Sequence, residues 1–87
     1  MELDLKPKAI DDLRFFKKNG NRATIKKIDT ILHELEVDPE NGTGKPEQLK
    51  YNLSGLYSRR LNYTDRIVYE IDYENNLVHI YSLRGHY

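Results

Sequence analysis

The chain has 87 residues, in which 14 Lys and Arg balance 14 Asp and Glu, and it has no Cys. This length indicates a single domain spanning residues 1–87 with one modest core. The lack of Cys excludes a disulfide framework and a thiolate metal site and fits a reducing cytoplasm. No signal peptide or membrane-spanning run is present, and the net charge of zero argues against nucleic-acid binding by bulk electrostatics alone.

The chain is predicted to begin with a strand and a helix. Residues 1–5 alternate polar and apolar side chains, which indicates a short strand. Pro7 suits the first turn of a helix predicted over residues 7–18, and Asp11 and Asp12 are placed where a helix dipole favours anions. Four residues give this helix an apolar face: Ala9, Ile10, Leu13 and Phe16.

A second helix is predicted over residues 22–38, antiparallel to the first. Gly20 is expected to adopt a left-handed cap, and Asn21 is expected to cap the second helix. The apolar stripe lasts under three heptads, so packing against a sheet is favoured over a coiled-coil seam. The stripe consists of Ile25, Ile28, Ile31, Leu32 and Leu35.

The second half of the chain is predicted to be β. Pro and Gly in residues 38–44 indicate a loop. The last strand is apolar on nearly both sides, which favours a central position in the sheet. The fold class is therefore α+β: a short strand and a helical hairpin packed on a mainly antiparallel sheet, in the order β-α-α-β-β-β-β. The four later strands are predicted at residues 47–51, 56–61, 66–72 and 77–84.

Positive charge is concentrated in the middle of the chain. Residues 41–66 carry five cations and two carboxylates, a net charge of +3, whereas residues 1–40 carry −1 and residues 67–87 carry −2. A solvated strand surface explains any one of these cations, but the cluster favours an anionic partner.

The residue types in and after this cluster are those required to cleave RNA without a metal. Such cleavage needs a base for the 2′-hydroxyl, an acid for the departing 5′-oxygen, and donors to the phosphate. Glu47 and His86 are the natural base and acid at neutral pH. Arg66, together with Arg60 or Arg59, is the natural phosphate partner because arginine binds phosphate bidentately and stays charged.

The remaining candidates are Tyr87 and the other histidines. Tyr87 offers an aromatic platform or a phenolic donor, and this interpretation is favoured over an ordinary ordered end of the chain. His33 is interpreted as a surface residue and His79 as a half-buried residue with polar partners. The histidines show no paired metal spacing, so neither a metal nor a cofactor is expected.

Three motifs and the end of the chain resemble a known family. They are Gly-Lys-Pro-Glu-x-Leu-Lys at residues 44–50, Asn-Leu-Ser-Gly-x-Tyr-Ser-Arg-Arg-Leu at 52–61, Asp-Arg-Ile-Val-Tyr at 65–69, and the final His-Tyr. Together they resemble the YoeB (Txe/YoeB) toxins of the RelE superfamily, and the resemblance covers essentially the whole chain. It implies a RelE-like fold.

The resemblance also implies a function and partners. It implies the toxin of a bacterial type II toxin-antitoxin system, an endoribonuclease that cleaves messenger RNA in the ribosomal A site. The expected partners are a cognate antitoxin of the YefM/Phd kind, the ribosome with its mRNA, and a second copy of the chain in a homodimer. Operator DNA is expected to be contacted only through the antitoxin complex, and no membrane is expected.

The matching positions assign roles to individual residues. The resemblance implies that Glu47 is the general base, Arg66 the arginine that stabilises the phosphate, and His86 the general acid. The other matched positions are the terminal aromatic Tyr87 and the cations Lys50 and Arg60.

The chain departs from the family pattern at two positions, which keeps other functions open. Tyr57 stands where a Trp is usual, and Asp65 stands before Arg66 where a His is frequent, so the carboxylate is expected to alter how Arg66 is held. The alternative function is that of the ParE toxins, which share the fold and bind DNA gyrase without cleaving RNA. A third is a weakened enzyme whose main role is to bind antitoxin and operator DNA.

Overall fold

The computed structural model describes residues 1–50 and 53–85, which form two helices and a five-stranded sheet. The predicted α+β class and element order are confirmed. Neither described helix combines the length and apolar character needed to cross a lipid bilayer. The elements are β1 (Glu2–Leu5), α1 (Pro7–Asn19), α2 (Arg22–Val37), β2 (Glu47–Gln48), β3 (Leu56–Arg60), β4 (Arg66–Asp72) and β5 (Leu77–Ser82).

The strands lie in the order β1-β5-β4-β3-β2. β1 pairs with β5 in parallel, and the other three pairs are antiparallel. β5 therefore has a neighbour on each side, which confirms its predicted central position. A strand flanked on both sides can pair its backbone N–H and C=O groups with two neighbours, which suits an apolar strand such as β5.

The hydrophobic core lies between the two helices and one face of the sheet. Residues two apart in a strand share a face, so Ile67 and Tyr69 of β4 and Val78 and Ile80 of β5 point together toward the helices. All four are fully buried. The other buried members of the core are Ala9, Phe16, Ile28, Ile31, Leu35, Leu61 and Leu83.

The junction between the helices agrees with the prediction at one residue and differs at the other. The Asn21 side chain caps α2 by accepting the Thr24 N–H at 2.8 Å, as predicted. The left-handed cap predicted for Gly20 is wrong, because its φ is −77°. Glycine is required there for space instead: a Cβ at Gly20 would stand 2.6 Å from the Phe16 carbonyl oxygen.

β5 ends two residues earlier than predicted because its last residues leave the ladder. The register shifts between Val68 and Tyr69, which pair with Ser82 and Ile80, so Tyr81 is an extra residue in β5. Beyond it, the backbone N–H groups of Leu83 and Arg84 donate to a side chain of α1 rather than to β4. β2 is also shorter than predicted; Tyr51 of that prediction and Asn52 of the following turn lie outside the described residues.

The side chain that takes those N–H groups belongs to Asp12. Neither Asp11 nor Asp12 lies in the first turn of α1, so the role predicted for them at the helix dipole is wrong. Asp12 is buried and accepts hydrogen bonds from the N–H groups of Leu83 at 3.0 Å and Arg84 at 3.2 Å.

Candidate functional site

One row of side chains crosses four strands on the sheet face opposite the helices, here called the far face. The register pairs Glu47 with Ser58, Ser58 with Val68, and Val68 with Ser82. Directly paired residues project from the same face, and Val68 alternates with Tyr69, which faces the helices. The row therefore has Glu47 at its exposed edge and buried residues along its floor.

Two arginines stand beside this row. Arg60 and Arg66 pair with each other, two residues along from Ser58 and Val68, and so project from the far face as well. Glu47 Oε2 lies 3.9 Å from Arg66 Nη1, with side chains 59% and 25% exposed. An ion pair this long and this exposed is weak, so a substrate phosphate can displace it. The structure thus brings the predicted base together with two predicted phosphate ligands.

The floor of the far face contains a hydroxyl that has no partner in the part of the chain that the structure describes. Ser58 is 0% exposed, and its Oγ has no hydrogen-bond partner among the described residues. A buried polar atom left without a partner costs stability, and such atoms concentrate where a protein has a functional reason to keep them. Sequence reasoning missed Ser58 because nothing in a strand pattern marks a serine as unpaired.

A depression of about 410 Å³ opens beside the two arginines. Among the described residues its lining contains three cations and no carboxylate, so it favours anions, and its exposed tyrosine can stack on a base. Sequence reasoning missed Lys27, Asn62 and Tyr63, because only tertiary structure places the polar side of α2 next to the turn after β3. The lining residues are Lys27, Arg60, Asn62, Tyr63 and Arg66.

The predicted substrate ligand Lys50 lies two residues beyond β2 and is exposed. Its side chain makes no hydrogen bond or ion pair with any described residue. Among the described residues, the Lys50 side chain contacts neither Glu47 nor Arg66. Its role in binding substrate therefore stays a prediction.

Gly85, the last residue that the structure describes, approaches Arg66 through the backbone. The Arg66 N–H donates to the Gly85 carbonyl at 3.0 Å, and the Gly85 N–H donates to Asp65 Oδ1 at 2.9 Å. The predicted acid His86 and the predicted aromatic Tyr87 follow Gly85 directly and lie outside the described residues.

Asp65 contacts the chain end and its own turn, rather than the guanidinium of Arg66. Besides the Gly85 N–H, it accepts hydrogen bonds from Asn62 Nδ2 at 3.0 Å and Thr64 Oγ1 at 3.3 Å. Burial raises the pKa of Asp65. The hydrogen bonds, led by that of Gly85, lower it by more than burial raises it, so the net shift of the pKa is downward. Asp65 therefore stays ionised and holds the residue that precedes His86.

Arg59 does not belong to the site, and its predicted role as a substrate ligand is wrong. Strand alternation places it on the helix side, opposite Arg60, and it is 0% exposed. Its Nη1 donates to Glu34 Oε1 at 2.7 Å and its Nε to the Tyr69 hydroxyl at 3.0 Å. A guanidinium engaged in this way, without access to solvent, cannot reach an RNA phosphate.

The contacts of Arg59 instead fix the loop that leads to β2. Its Nη2 donates to three loop carbonyls, those of Asp38, Pro39 and Asn41, at 3.2, 3.1 and 2.9 Å. The loop approaches so closely that a Cβ at Gly42 would stand 2.9 Å from Arg59 Nη1. Because this loop carries the chain into β2, Arg59 supports the position of Glu47 from the opposite face of the sheet.

The other two histidines have the surroundings predicted for them. His79 is half-buried, with its ring nitrogens 2.9 Å from Asp4 Oδ2 and 3.1 Å from Asp72 Oδ2. His33 is exposed on α2, with Nδ1 3.7 Å from Glu36. Within residues 1–50 and 53–85, no three His, Asp or Glu side chains are grouped so as to hold a metal ion.

The fold and the far-face site define a small α+β protein with a cationic depression beside a carboxylate, and comparison with known proteins gives its family. The family of YoeB-like toxins of bacterial type II toxin-antitoxin systems matches residues 5–87. Toxin YoeB of Synechocystis is 42% identical over 76 residues, which are 87% of this chain and 85% of that protein. The chain belongs to the YoeB toxin family.

Solved structures agree with this assignment. A YoeB/ParE toxin from Agrobacterium tumefaciens has a TM-score of 0.90 at 29% identity, with both chains fully covered. A YoeB-YefM complex from Staphylococcus aureus has a TM-score of 0.83 at 39% identity, covering 100% of this chain and 98% of that one. A YoeB dimer from the same organism has a TM-score of 0.85 at 38% identity with the same coverage. The predicted RelE-like fold is confirmed.

Proposed function

We propose that this toxin is a ribosome-dependent endoribonuclease that cleaves mRNA by metal-independent general acid-base catalysis and so inhibits translation. In the proposed reaction Glu47 takes the proton of a 2′-hydroxyl, whose oxygen then attacks the adjacent phosphorus. The bond from phosphorus to the 5′-oxygen breaks, and His86 gives its proton to that oxygen. The first products are a 2′,3′-cyclic phosphate and a 5′-hydroxyl.

The observation that carries this proposal is the meeting of Glu47, Arg60 and Arg66 on the far face. The two arginines provide charged donors for the negative charge that grows on the phosphate oxygens. Glu47 lies close enough to Arg66, at 3.9 Å, for a phosphate bound by the arginine to place its neighbouring ribose beside the carboxylate. The Arg66 N–H holds the Gly85 carbonyl, so the residue that precedes His86 in the sequence lies beside the same arginine.

The charge of the whole chain supports the proposed dependence on the ribosome. With a net charge of zero the free protein has little long-range attraction for RNA, since nucleic-acid affinity rises with the number of phosphates neutralised. A ribosome that presents the mRNA removes the need for such attraction. Lys50 and the cations of the depression then need only hold a few phosphates of a strand already in place, in the cytoplasm where ribosomes are.

The proposed protein partners come from the relatives. The Staphylococcus aureus relative is described as a YoeB-YefM complex and also as a dimer, and it is 39% and 38% identical to this chain in those structures. We infer that this toxin is neutralised by a YefM-type antitoxin and forms a homodimer. Operator DNA is then contacted through the antitoxin complex.

Primer extension tests the proposed function. Wild-type protein and His86→Ala are added to a translating extract, and the 5′ ends of a defined mRNA are mapped. The proposal predicts new ends within A-site codons for wild type and none for His86→Ala. A wild-type protein that leaves mRNA intact and instead inhibits DNA gyrase would establish the ParE-like alternative.

A further inference from the structure

The last described residues of the chain are held by two carboxylates. The N–H groups of Leu83 and Arg84 donate to Asp12 Oδ2 at 3.0 and 3.2 Å, and the next N–H, that of Gly85, donates to Asp65 Oδ1 at 2.9 Å. Three consecutive backbone donors are thus taken by side chains from α1 and from the turn before β4. A charged acceptor makes each of these hydrogen bonds stronger than a bond to a neutral carbonyl.

The bulge in β5 is what makes these donors available. If Tyr81 continued the regular alternation of the strand, Ser82 would point toward the helices and Leu83 away from them. With it, Ser82 pairs with Val68 on the far face and Leu83 is fully buried in the core. The chain beyond Leu83 is thereby separated from the ladder and directed between α1 and the turn that contains Asp65.

Asp12 is built to hold a fixed position. Its side chain is 9% exposed, and the same oxygen that accepts the two N–H groups also accepts Lys8 Nζ at 2.7 Å. A carboxylate removed from water is stable only where its donors are in place, so this side chain and its donors order one another. Arg84 adds a contact on the same helix, with its guanidinium carbon 3.5 Å from the ring centroid of Phe15.

Gly85 completes the arrangement. Its N–H is bound by Asp65, its carbonyl is bound by the Arg66 N–H, and its φ of +107° is one that residues with a side chain rarely adopt. Consecutive Cα atoms are about 3.8 Å apart, so a fixed Gly85 limits where the next residue can start. That next residue is His86.

We propose that Asp12 and Asp65 are positioning residues, a carboxylate clamp on residues 83–85 that fixes the point from which the chain continues to the general acid His86. This inference rests on the proposed ribonuclease function. Neither carboxylate contacts the RNA; each acts by holding the backbone, so that the acid meets the leaving 5′-oxygen without first having to be ordered.

The first experiment compares Asp12→Ala with Asp12→Asn and with Asp11→Ala. Asp11 is the adjacent carboxylate on α1, and its side chain is 76% exposed. The rate of mRNA cleavage is measured in single turnovers on programmed ribosomes, over a range of toxin concentrations. Asp12→Ala is expected to lower the maximal rate by about 10- to 100-fold with little change in the half-saturating concentration, because binding is intact and only alignment is lost.

The other two variants separate position from charge. Asp12→Asn keeps an oxygen that can accept the Leu83 and Arg84 N–H groups, so it is expected to recover most of the rate, and Asp11→Ala is expected to match wild type. The clamp is overturned if Asp12→Ala matches Asp11→Ala, or if Asp12→Asn loses as much as Asp12→Ala, since the charge rather than the position would then matter.

Asp65→Ala is the second arm and decides the matter if Asp12→Ala does not fold. Its matched control is Thr64→Val, which removes a hydroxyl bonded to Asp65 Oδ2 and leaves the bond from Gly85 to Oδ1. Amide hydrogen exchange of Gly85 is followed together with cleavage. Faster exchange with a loss of about 10-fold or more in rate supports the clamp, whereas unchanged exchange and rate overturn it.

These measurements separate failure of the clamp from failure of the proposed function. If the wild-type protein cleaves mRNA and both clamp variants equal their controls, only the clamp is overturned. If the wild-type protein cleaves no mRNA on ribosomes, the proposed function is overturned and the clamp with it.

Discussion

Arg59 and Arg60 are neighbours in β3, yet their side chains lie in opposite surroundings. Arg59 points toward the helices, is 0% exposed, and binds Glu34, the Tyr69 hydroxyl and three loop carbonyls. Arg60 points to the far face, where it is exposed and lines the depression beside Arg66. One cation is therefore part of the folded framework, and the other is available to a substrate.

The difference shows that residue type alone does not assign a role to a cation. A buried guanidinium is stable only where its donors have acceptors, so the framework around Arg59 has to provide a carboxylate, a phenol and backbone carbonyls. An exposed guanidinium keeps its donors for a ligand. The predictions below test this division between the helix side and the far face, from the largest expected effect to the smallest.

Arg66→Met tests the far face. Loss of a charged donor to the transition-state phosphate is expected to lower the single-turnover rate of mRNA cleavage by about 10²- to 10³-fold. The free energy of unfolding should change by less than about 1 kcal/mol, because the Arg66 ion pair to Glu47 is long and exposed. Arg14→Met, on the outer surface of α1, serves as the control and should cleave like wild type; a similar loss in both variants would contradict the assignment.

Arg59→Met tests the helix side. It leaves Glu34 and the loop carbonyls without their donor, and the expected loss in the free energy of unfolding is about 3 kcal/mol, measured by urea denaturation. The expected loss lies at the low end of what breaking a buried ion pair costs, because the Glu34 side chain is 30% exposed and can be solvated. Arg60→Met is the matched control and should change this free energy by less than about 0.5 kcal/mol. Equal losses of unfolding free energy in the two variants would contradict the division between a structural arginine on the helix side and an exposed arginine on the far face.

His79, on the far face of β5, gives the stability of the protein a pH dependence. Hydrogen bonds from its ring to Asp72 and then to Asp4 raise its pKa above the ordinary value of 6.5. A raised pKa means that the stabilisation is fully present below pH 6.5 and is lost as the pH rises through the higher, folded-state value. Wild type should therefore lose stability over this range, measured by urea denaturation at a series of pH values.

Two variants define that pH effect. His79→Gln removes the titrating ring and should flatten the dependence above neutral pH, whereas His33→Gln, on the exposed side of α2, should leave it as in wild type. A dependence that persists in His79→Gln would assign the effect to another group.

Ser58→Ala has the smallest expected effect on stability. It tests whether a hydroxyl buried on the far face contributes less to stability than a hydrogen-bonded hydroxyl on the helix side. The hydroxyl is buried without a hydrogen-bond partner among the described residues, so its removal should leave the free energy of unfolding unchanged or slightly raised. Thr43→Val is the comparison on the helix side: it removes a hydroxyl that donates to Glu34 at 2.7 Å and should cost about 1 kcal/mol. A greater loss for Ser58→Ala would mean that the hydroxyl has a partner in the folded protein.

Hydrophobic periodicity was sufficient to predict the order of the elements but not their irregularities. β4 was predicted with its observed bounds because Ile67, Tyr69 and Ile71 alternate without interruption. β5 was predicted too long because the bulge at Tyr81 and the bonds from Leu83 to Asp12 depend on α1, which is about 70 residues away in the chain. Such a contact leaves no local signal in the sequence.

Site residues could be predicted from the sequence where their side-chain chemistry and motif were distinctive. They could not be predicted where the role depends only on which face of the sheet the side chain projects from. Glu47 and Arg66 were named from residue type and motif, and the structure brings them together. In β3, by contrast, each side of the strand carried an arginine and apolar or small residues, so the pattern alone did not decide between Arg59 and Arg60. Lys27 reaches the depression only through the packing of α2 near the turn after β3.

The most direct test of the far-face site is the cleavage of ribosome-bound mRNA by Glu47→Gln. The matched control is Glu74→Gln, which makes the same change of charge in the turn between β4 and β5, at the other end of β4 from Arg66. Loss of the proposed general base should lower the single-turnover rate by about 10²- to 10⁴-fold, while Glu74→Gln cleaves like wild type. Equal cleavage by the two variants would contradict the assignment of the catalytic base to the far face.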